Sequence, residues 1–309
     1  MVAKRRVEEQ PVLIVGGSGQ IGWRLAEACR NRGWACVPTF YRNPQPGAVA
    51  LDATDDKPVR RLIEQWRPWL IVNSLNAQGG TDACEADPTL AIRAHYDTVR
   101  HLVDAVVAVN ARFIQISTDY VFDGQAGPYA ETDPPHPLSQ LGRAKLMAEC
   151  YVMERLPEAL VLRTSFVFSW APHVSAKNFI MQLLDNDRAG RLMRVPNDQV
   201  GNVTYAPTFA EALVELVELG QQGLFHVAGT TRCSKYEWAL KTAERFGLNR
   251  TLIHGVSTAE LEQRGPRPLQ SGFHLAKVQG VLRRTRLLSL DESLTEMERE
   301  MSLVRAEAA

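Results

Sequence analysis

The 309-residue chain is long enough to bury a full core, as one main domain with a smaller lobe. Lys plus Arg and Asp plus Glu each total 35, so the net charge is zero and no global field exists to hold nucleic acid or an anionic membrane, which leaves a small molecule as the default partner. Five scattered cysteines without a CxxC spacing argue for reduced thiols in a cytoplasmic protein and against a disulfide frame or zinc site; no metal is expected, the charged opening MVAKRRVEEQ is no signal peptide, and no apolar stretch is long enough to span a bilayer.

Val12 to Gly33 reads as strand, tight turn and helix, with Gly16, Gly19 and Gly22 at every third position and Ile21, Leu25, Ala28 and Cys29 on one helical face. Glycine lets the main chain fold sharply and approach a ligand, and the first helical turn offers unpaired N–H groups and the positive end of the helix dipole. Gly16, Ser18, Gly19, Gln20, Ile21 and Gly22 are therefore expected to bind a dinucleotide.

Trp34 to Thr39 reads as the second strand. It runs into Tyr41 and Arg42, and no Asp or Glu occurs between Glu27 and Asp52. A basic residue at that point suits a 2′-phosphate, so NADP(H) is expected in preference to NAD(H). Leu51, Asp52 and Ala53 are read as a third strand, with Asp52 near the adenine edge; Lys57 to Trp66 is helical, and Trp69 to Ser74 is a fourth strand leading into Leu75 and Asn76. Pro88 to Val109 has the spacing of a long helix and Arg112 to Ser117 that of the next strand. Alternating strands and helices predict an α/β, Rossmann-type doubly wound parallel sheet, whose strand ends bring together Gly16, Ser74, Leu75, Asn76, Ser117 and Thr118.

Ser139 to Glu154 reads as a helix carrying Leu141 and Lys145 on one face, and Leu160 to Val167 as a sixth strand whose end, at Phe166, faces the nicotinamide. The expected division is a dinucleotide-binding domain over residues 1–170 and a smaller, interleaved substrate lobe over 171–309, with 200–230 and part of the C-terminus returning to the sheet. Asn178 and Phe179 begin a helix, and Asn197 to Gln199 form a polar turn. Thr208 to Leu219 is a helix, Gly223 to Val227 a strand, and Lys235 to Phe246 a helix closed by Gly247. A loop follows from Gly265 to Lys277, and Asp291 to Val304 is the closing helix before a frayed AEAA end.

The phrases GGSGQIG, STDYVFDG, PYAETDPPHP, GRAK, NF at Asn178 and Phe179, NDQVGNVT, FHVAG and RP at Arg267 and Pro268 cover almost the whole chain in one order. In these the chain resembles the extended short-chain dehydrogenases, most closely the dTDP-4-dehydrorhamnose reductase family and its relative, the regulatory β subunit of methionine adenosyltransferase. The resemblance implies reduction of a nucleotide-linked keto sugar with NADPH by a Ser or Thr, a Tyr and a Lys. Thr118 and Lys145 match. It also implies that Asp119, Tyr120, Asn178 and Arg267 meet the substrate, Arg267 near its diphosphate.

Two positions depart from that pattern. Leu141 stands where the family has its tyrosine, and an alkyl chain donates no proton; losing such a group costs about 10²- to 10⁴-fold. His95 stands where the family usually has an Asn that helps order the lysine. His95 is read either as a substitute proton donor or as a packed, hydrogen-bonded core residue, and Tyr120 and Tyr129 are further candidate donors. Three functions follow: a reductase with an atypical site, a silent NADP-binding regulatory subunit of a partner enzyme, or a related non-reductive step. A homodimer or a partner enzyme is compatible with each.

Overall fold

The computed structural model describes residues 10–172, 174 and 177–307. The opening stretch before residue 10 and the last two residues of the AEAA end lie outside the described residues. The seven-stranded parallel sheet has the order β11-β6-β5-β4-β1-β2-β3. Its strands are β1 (Val12–Val15), β2 (Cys36–Phe40), β3 (Val49–Ala50), β4 (Leu70–Asn73), β5 (Arg112–Thr118), β6 (Leu160–Thr164) and β11 (Gly223–His226). The inner strands are buried on both faces, as a parallel sheet covered by helices requires. α1 (Gln20–Asn31) and α8 (Ala206–Glu218) pack on one face, and α2 (Asp56–Trp66) lies on the other with α5 (Thr98–Val109) and α6 (Gln140–Arg155). The order reverses beside β1, so the crevice above β1 and β4 is where such a sheet takes a ligand.

Several expected elements are corrected. The third strand is Val49–Ala50, ahead of Leu51, Asp52 and Ala53. Asp52 Oδ1 accepts from the Thr54 N–H at 3.0 Å and its hydroxyl at 2.6 Å, a local turn that competes with strand pairing. A helix absent from the reading, α3 (Gly80–Ala86), follows β4. The long helix is α4 (Pro88–Ile92), a π-helical turn at Arg93–Asp97, and α5. The sixth strand stops at Thr164, because Phe166 adopts a left-handed φ of 44°, and Val167–Phe168 (β7) pairs instead with β10 (Thr204–Tyr205). The last helix, α11 (Leu290–Glu307), continues into the end expected to fray.

Beyond β6 the chain adds α7 (Phe179–Arg188), β8 (Met193–Pro196), β9 (Val200–Asn202), β12 (Arg232–Ser234), α9 (Lys235–Phe246), β13 (Ile253–Val256) and α10 (Ala276–Val281). Phe168, Ile180, Trp238, Leu294 and Met297 build a separate apolar core there. Asn178 caps α7, accepting from Met181 N–H at 3.2 Å and donating to the Ser169 carbonyl at 2.8 Å.

Three buried charged side chains fasten the frame. Arg163 on β6 donates to Glu149 on α6 at 2.6 Å, both side chains being almost fully covered. Glu215 on α8 accepts from the backbone N–H groups of Arg283, Arg284 and Thr285. All five cysteines are free thiols, and among the described residues no helix is long and apolar enough to cross a membrane.

Candidate active site

The glycine turn has the shape a diphosphate needs. Gly16 has φ +78°, and a Cβ there would come within 3.0 Å of the Leu75 backbone. At Gly22 a Cβ would lie 2.3 Å from the Gly16 carbonyl, so glycine lets α1 seat against the end of β1. Ser18 N–H donates to the Thr39 carbonyl at 3.2 Å and Gly19 N–H to the Gly16 carbonyl at 3.0 Å, which closes the turn. Gly19 caps α1 without a side-chain bond, and no acidic residue stands in the first turn. The amides around Gln20 and Ile21 therefore meet no competing carboxylate, and the cradle fits a dinucleotide diphosphate.

Tyr41 and Arg42, expected at the adenine end, follow β2. The Arg42 guanidinium lies 5.1 Å from the centre of the Tyr41 ring and donates to Gln78 Oε1 at 3.0 Å. Ala53, beside Asp52, presents its carbonyl to His101 Nδ1 at 3.3 Å.

Across the crevice the strand ends converge. The Ser74 hydroxyl donates to the Val15 carbonyl at 2.8 Å. Lys145 Nζ lies 3.3 Å from both the Leu75 and the Ile116 carbonyls, so one buried ammonium joins the ends of β4 and β5. Burial lowers its pKa to about 8, against the pull of Glu149 and Cys84. Asn76 is exposed just beyond, and Ser117 is buried with its hydroxyl unpartnered among the described residues. Thr118 Oγ1 accepts from Tyr120 N–H and donates to Asp119 Oδ1, each at 3.2 Å.

Leu141 and Lys145 lie one turn apart on α6, and Leu141 is packed among Ala77, Cys84, Ala91, Ala94 and Tyr120. The π-helical turn carries His95, 1% exposed, with neither ring nitrogen hydrogen-bonded among the described residues. Burial and the Lys145 charge hold His95 well below the usual histidine range, so it is neutral near pH 7. His95 is thus packed in the core, and the hydrogen bond expected of it there is not formed among the described residues. Tyr129 is committed elsewhere. Its hydroxyl donates to Asp123 Oδ1 at 2.6 Å and accepts from the Gln125 and Ala126 N–H groups, and its ring stacks on Phe122.

On the lobe side, the Arg267 guanidinium pairs with Asp82 Oδ1 at 2.6 Å, which holds that carboxyl at about 2. Thr81 and Arg267 face the Tyr120 hydroxyl, which burial and Asp119 push up to about 12. Phe166 turns toward the lobe and stacks on Trp238 at 6.0 Å. Lys235 Nζ stands 5.2 Å from the Phe166 ring centre and faces Arg267 and Asp119. Sequence reasoning passed over Lys235; its available signal was the capping box of Ser234 and Glu237, which sets Lys235 at the first position of α9. A groove of about 550 Å³ lies elsewhere, between α1, α8 and α11; Arg24, Arg32 and Arg284 along it are already ion-paired.

A profile of the RmlD substrate binding domain matches residues 10–302. The chain belongs to this family. It is 29% identical over 280 residues to the dTDP-4-dehydrorhamnose reductase of Aggregatibacter actinomycetemcomitans, covering 87% of this chain and 92% of that one. It is 27% identical over 287 residues to methionine adenosyltransferase 2 subunit beta of Xenopus laevis, covering 90% and 85%. Among solved structures, the dTDP-4-dehydrorhamnose reductase of Bacillus anthracis in complex with NADP superposes with a TM-score of 0.83 at 26% identity, covering 94% of this chain and 99% of that one. A hypothetical dTDP-4-dehydrorhamnose reductase of Sulfolobus tokodaii reaches 0.81 at 30%, covering 91% and 98%. RmlD-family likeness at this level supports an oxidoreductase with a nucleotide cofactor.

Proposed function

We propose that this chain is an NADP(H)-dependent reductase of a nucleotide-linked keto sugar, with an active site that lacks the usual tyrosine. The observation that carries this reading is Lys145, whose ammonium sits 3.3 Å from the Leu75 and Ile116 carbonyls, between the glycine turn and Thr118. NADPH, when bound, supplies hydride. Gly16, Ser18 and Gly19 shape the turn that receives its diphosphate, and the main-chain N–H groups of Gln20, Ile21 and Gly22 at the start of α1 hold it. Tyr41 and Arg42 receive the 2′-phosphate, which favours NADP(H) over NAD(H), and Asp52 and Ala53 line the adenine edge. Ser74, Leu75, Asn76, Ser117 and Phe166 complete the trough, and Lys145 donates to the nicotinamide ribose. Thr118 hydrogen-bonds the substrate carbonyl, while Asp119, Tyr120, Asn178 and Arg267 frame the sugar nucleotide. Residues 1–170 act as the cofactor domain and 171–309 mainly as the substrate lobe.

A second reading is favoured by one observation: Leu141 fills its place with apolar contacts, as a site relieved of catalysis can afford. In that reading the protein binds NADP(H) and regulates a partner enzyme. Mixing the protein with NADPH and a panel of dTDP-4-keto sugars separates the two. The reductase consumes NADPH and Thr118→Val abolishes the consumption; no consumption with any of these sugars, alongside tight NADPH binding, leaves the regulatory reading.

A further inference from the structure

Leu141 leaves the usual tyrosine position without a proton donor, His95 is buried and neutral, and the Tyr129 hydroxyl is spent on Asp123. Another acid stands directly beside Thr118. The Asp119 side chain is 2% exposed; Oδ1 accepts from Thr118 Oγ1 at 3.2 Å, and Oδ2 has no hydrogen-bond partner among the described residues. No guanidinium or ammonium forms an ion pair with it among the described residues. The groups that face it are the Ser271 hydroxyl from the 265–277 loop, Lys235 at the start of α9, and Tyr120 next in the chain. Complete burial pushes this carboxyl up to about 6, against the pull of Ser271, Thr118 and Lys235, because an unpaired carboxylate in a dry site costs more than a neutral acid.

We propose, on the reductase reading above, that Asp119 acts through the Thr118 hydroxyl to supply the proton that a tyrosine at position 141 would give. As the substrate's carbonyl carbon accepts hydride, its π pair becomes an alkoxide lone pair. With Asp119 protonated, the 3.2 Å contact runs from the carboxyl to Thr118 Oγ1 and frees the Thr118 hydroxyl proton, which bonds to the alkoxide oxygen; the carboxyl proton then replaces it on Thr118 Oγ1, leaving a carboxylate. The carboxylate then regains a proton from solvent. A hydroxyl both accepts and donates, so Thr118 relays the proton without moving its oxygen. Asp119 is thus a positioning and relay residue, one hydrogen bond removed from the reacting carbonyl.

The experiment compares wild type, Asp119→Asn, Leu141→Tyr and the double variant with NADPH and a dTDP-4-keto sugar across pH. The wild-type rate falls about tenfold per pH unit above about 6, the range in which Asp119 loses its proton. Asp119→Asn lowers the rate by about 10²-fold and removes that limb. In the Leu141→Tyr background, which carries its own acid, the same Asn costs about threefold or less. A purely structural Asp119 would cost the same in both backgrounds, and that result overturns the relay, as does an Asp119→Asn enzyme with the wild-type rate and profile. A wild type inert toward every sugar but active as Leu141→Tyr overturns the reductase reading and the relay together. Infrared titration of cofactor-free wild type gives a readout independent of turnover: a buried carboxyl with a midpoint near about 6 is expected, and its absence overturns the proposal.

Discussion

Lys145 Nζ donates to the Leu75 carbonyl at 3.3 Å, and the Leu75 backbone is also what a side chain at Gly16 would strike. One residue thus touches both the glycine turn and the lysine of the opposite wall. The glycine turn is the first place to test this. Gly22→Val drives two methyl groups toward the Gly16 carbonyl, which a Cβ alone would approach to 2.3 Å. The expected outcome is a loss of about 1–3 kcal/mol of stability and at least about tenfold weaker NADPH binding, read by thermal unfolding and calorimetry.

Lys145 links binding to pH. Burial lowers its pKa from 10.5 to about 8, so between these values the unfolded chain holds a proton that the native chain has released, and stability rises with pH across that window. Below about 8 both states are charged and the full penalty applies. Lys145→Met should therefore be more stable than wild type by about 2 kcal/mol at pH 7, with the difference shrinking as pH climbs past 8 toward 10.5. The same variant should bind NADPH about tenfold or more weakly, as loss of a charged hydrogen-bond donor requires. Urea melts at pH 7 and 10, with calorimetry, check both.

Arg42 gives a test of the proposed coenzyme preference. Its guanidinium is anchored by Gln78 at 3.0 Å and lies over Tyr41. Arg42→Ala should weaken NADPH binding by about tenfold to a hundredfold and leave NADH unchanged, since only the phosphorylated ribose uses the charge. Equal losses for both coenzymes would mean that Arg42 does not meet the 2′-phosphate.

The Arg163 and Glu149 pair, 2.6 Å apart and buried, joins β6 to the helix that carries Lys145. Arg163→Met strands a buried carboxylate and should cost about 3–5 kcal/mol in chemical denaturation, whereas Arg163→Met with Glu149→Leu should recover most of it. A single variant as stable as wild type would show that the carboxylate finds another partner.

The sheet and the glycine turn were legible because apolar strands, a glycine triplet and helical periodicity sit side by side, and local rules govern each. Alternation put Thr118 at a strand end, but the roles proposed for Thr118 and Lys145 came only through resemblance to a family, since an isolated Thr or Lys carries no pattern. What sequence reading missed depends on tertiary contact. The short helix after β4 begins at Gly79 and Gly80, which local propensity reads as a loop. The π-helical turn that buries His95 is invisible to a 3.6-residue period, and the break of the sixth strand at Phe166 is set by ring stacking on Trp238 from a distant helix. Lys235 was overlooked for the same reason, because its neighbours Asp119 and Arg267 come from other parts of the chain.

Glu215 has a consequence for how this chain can be cut. Its carboxylate is buried, and although burial alone would push it up, the N–H groups of residues 283–285 and the Thr285 hydroxyl hold it at about 2. Those amides are its solvation. A version trimmed before residue 283 would leave an anion stranded on α8, so the sheet and the helices on it cannot be excised as a minimal module without the 283–285 segment.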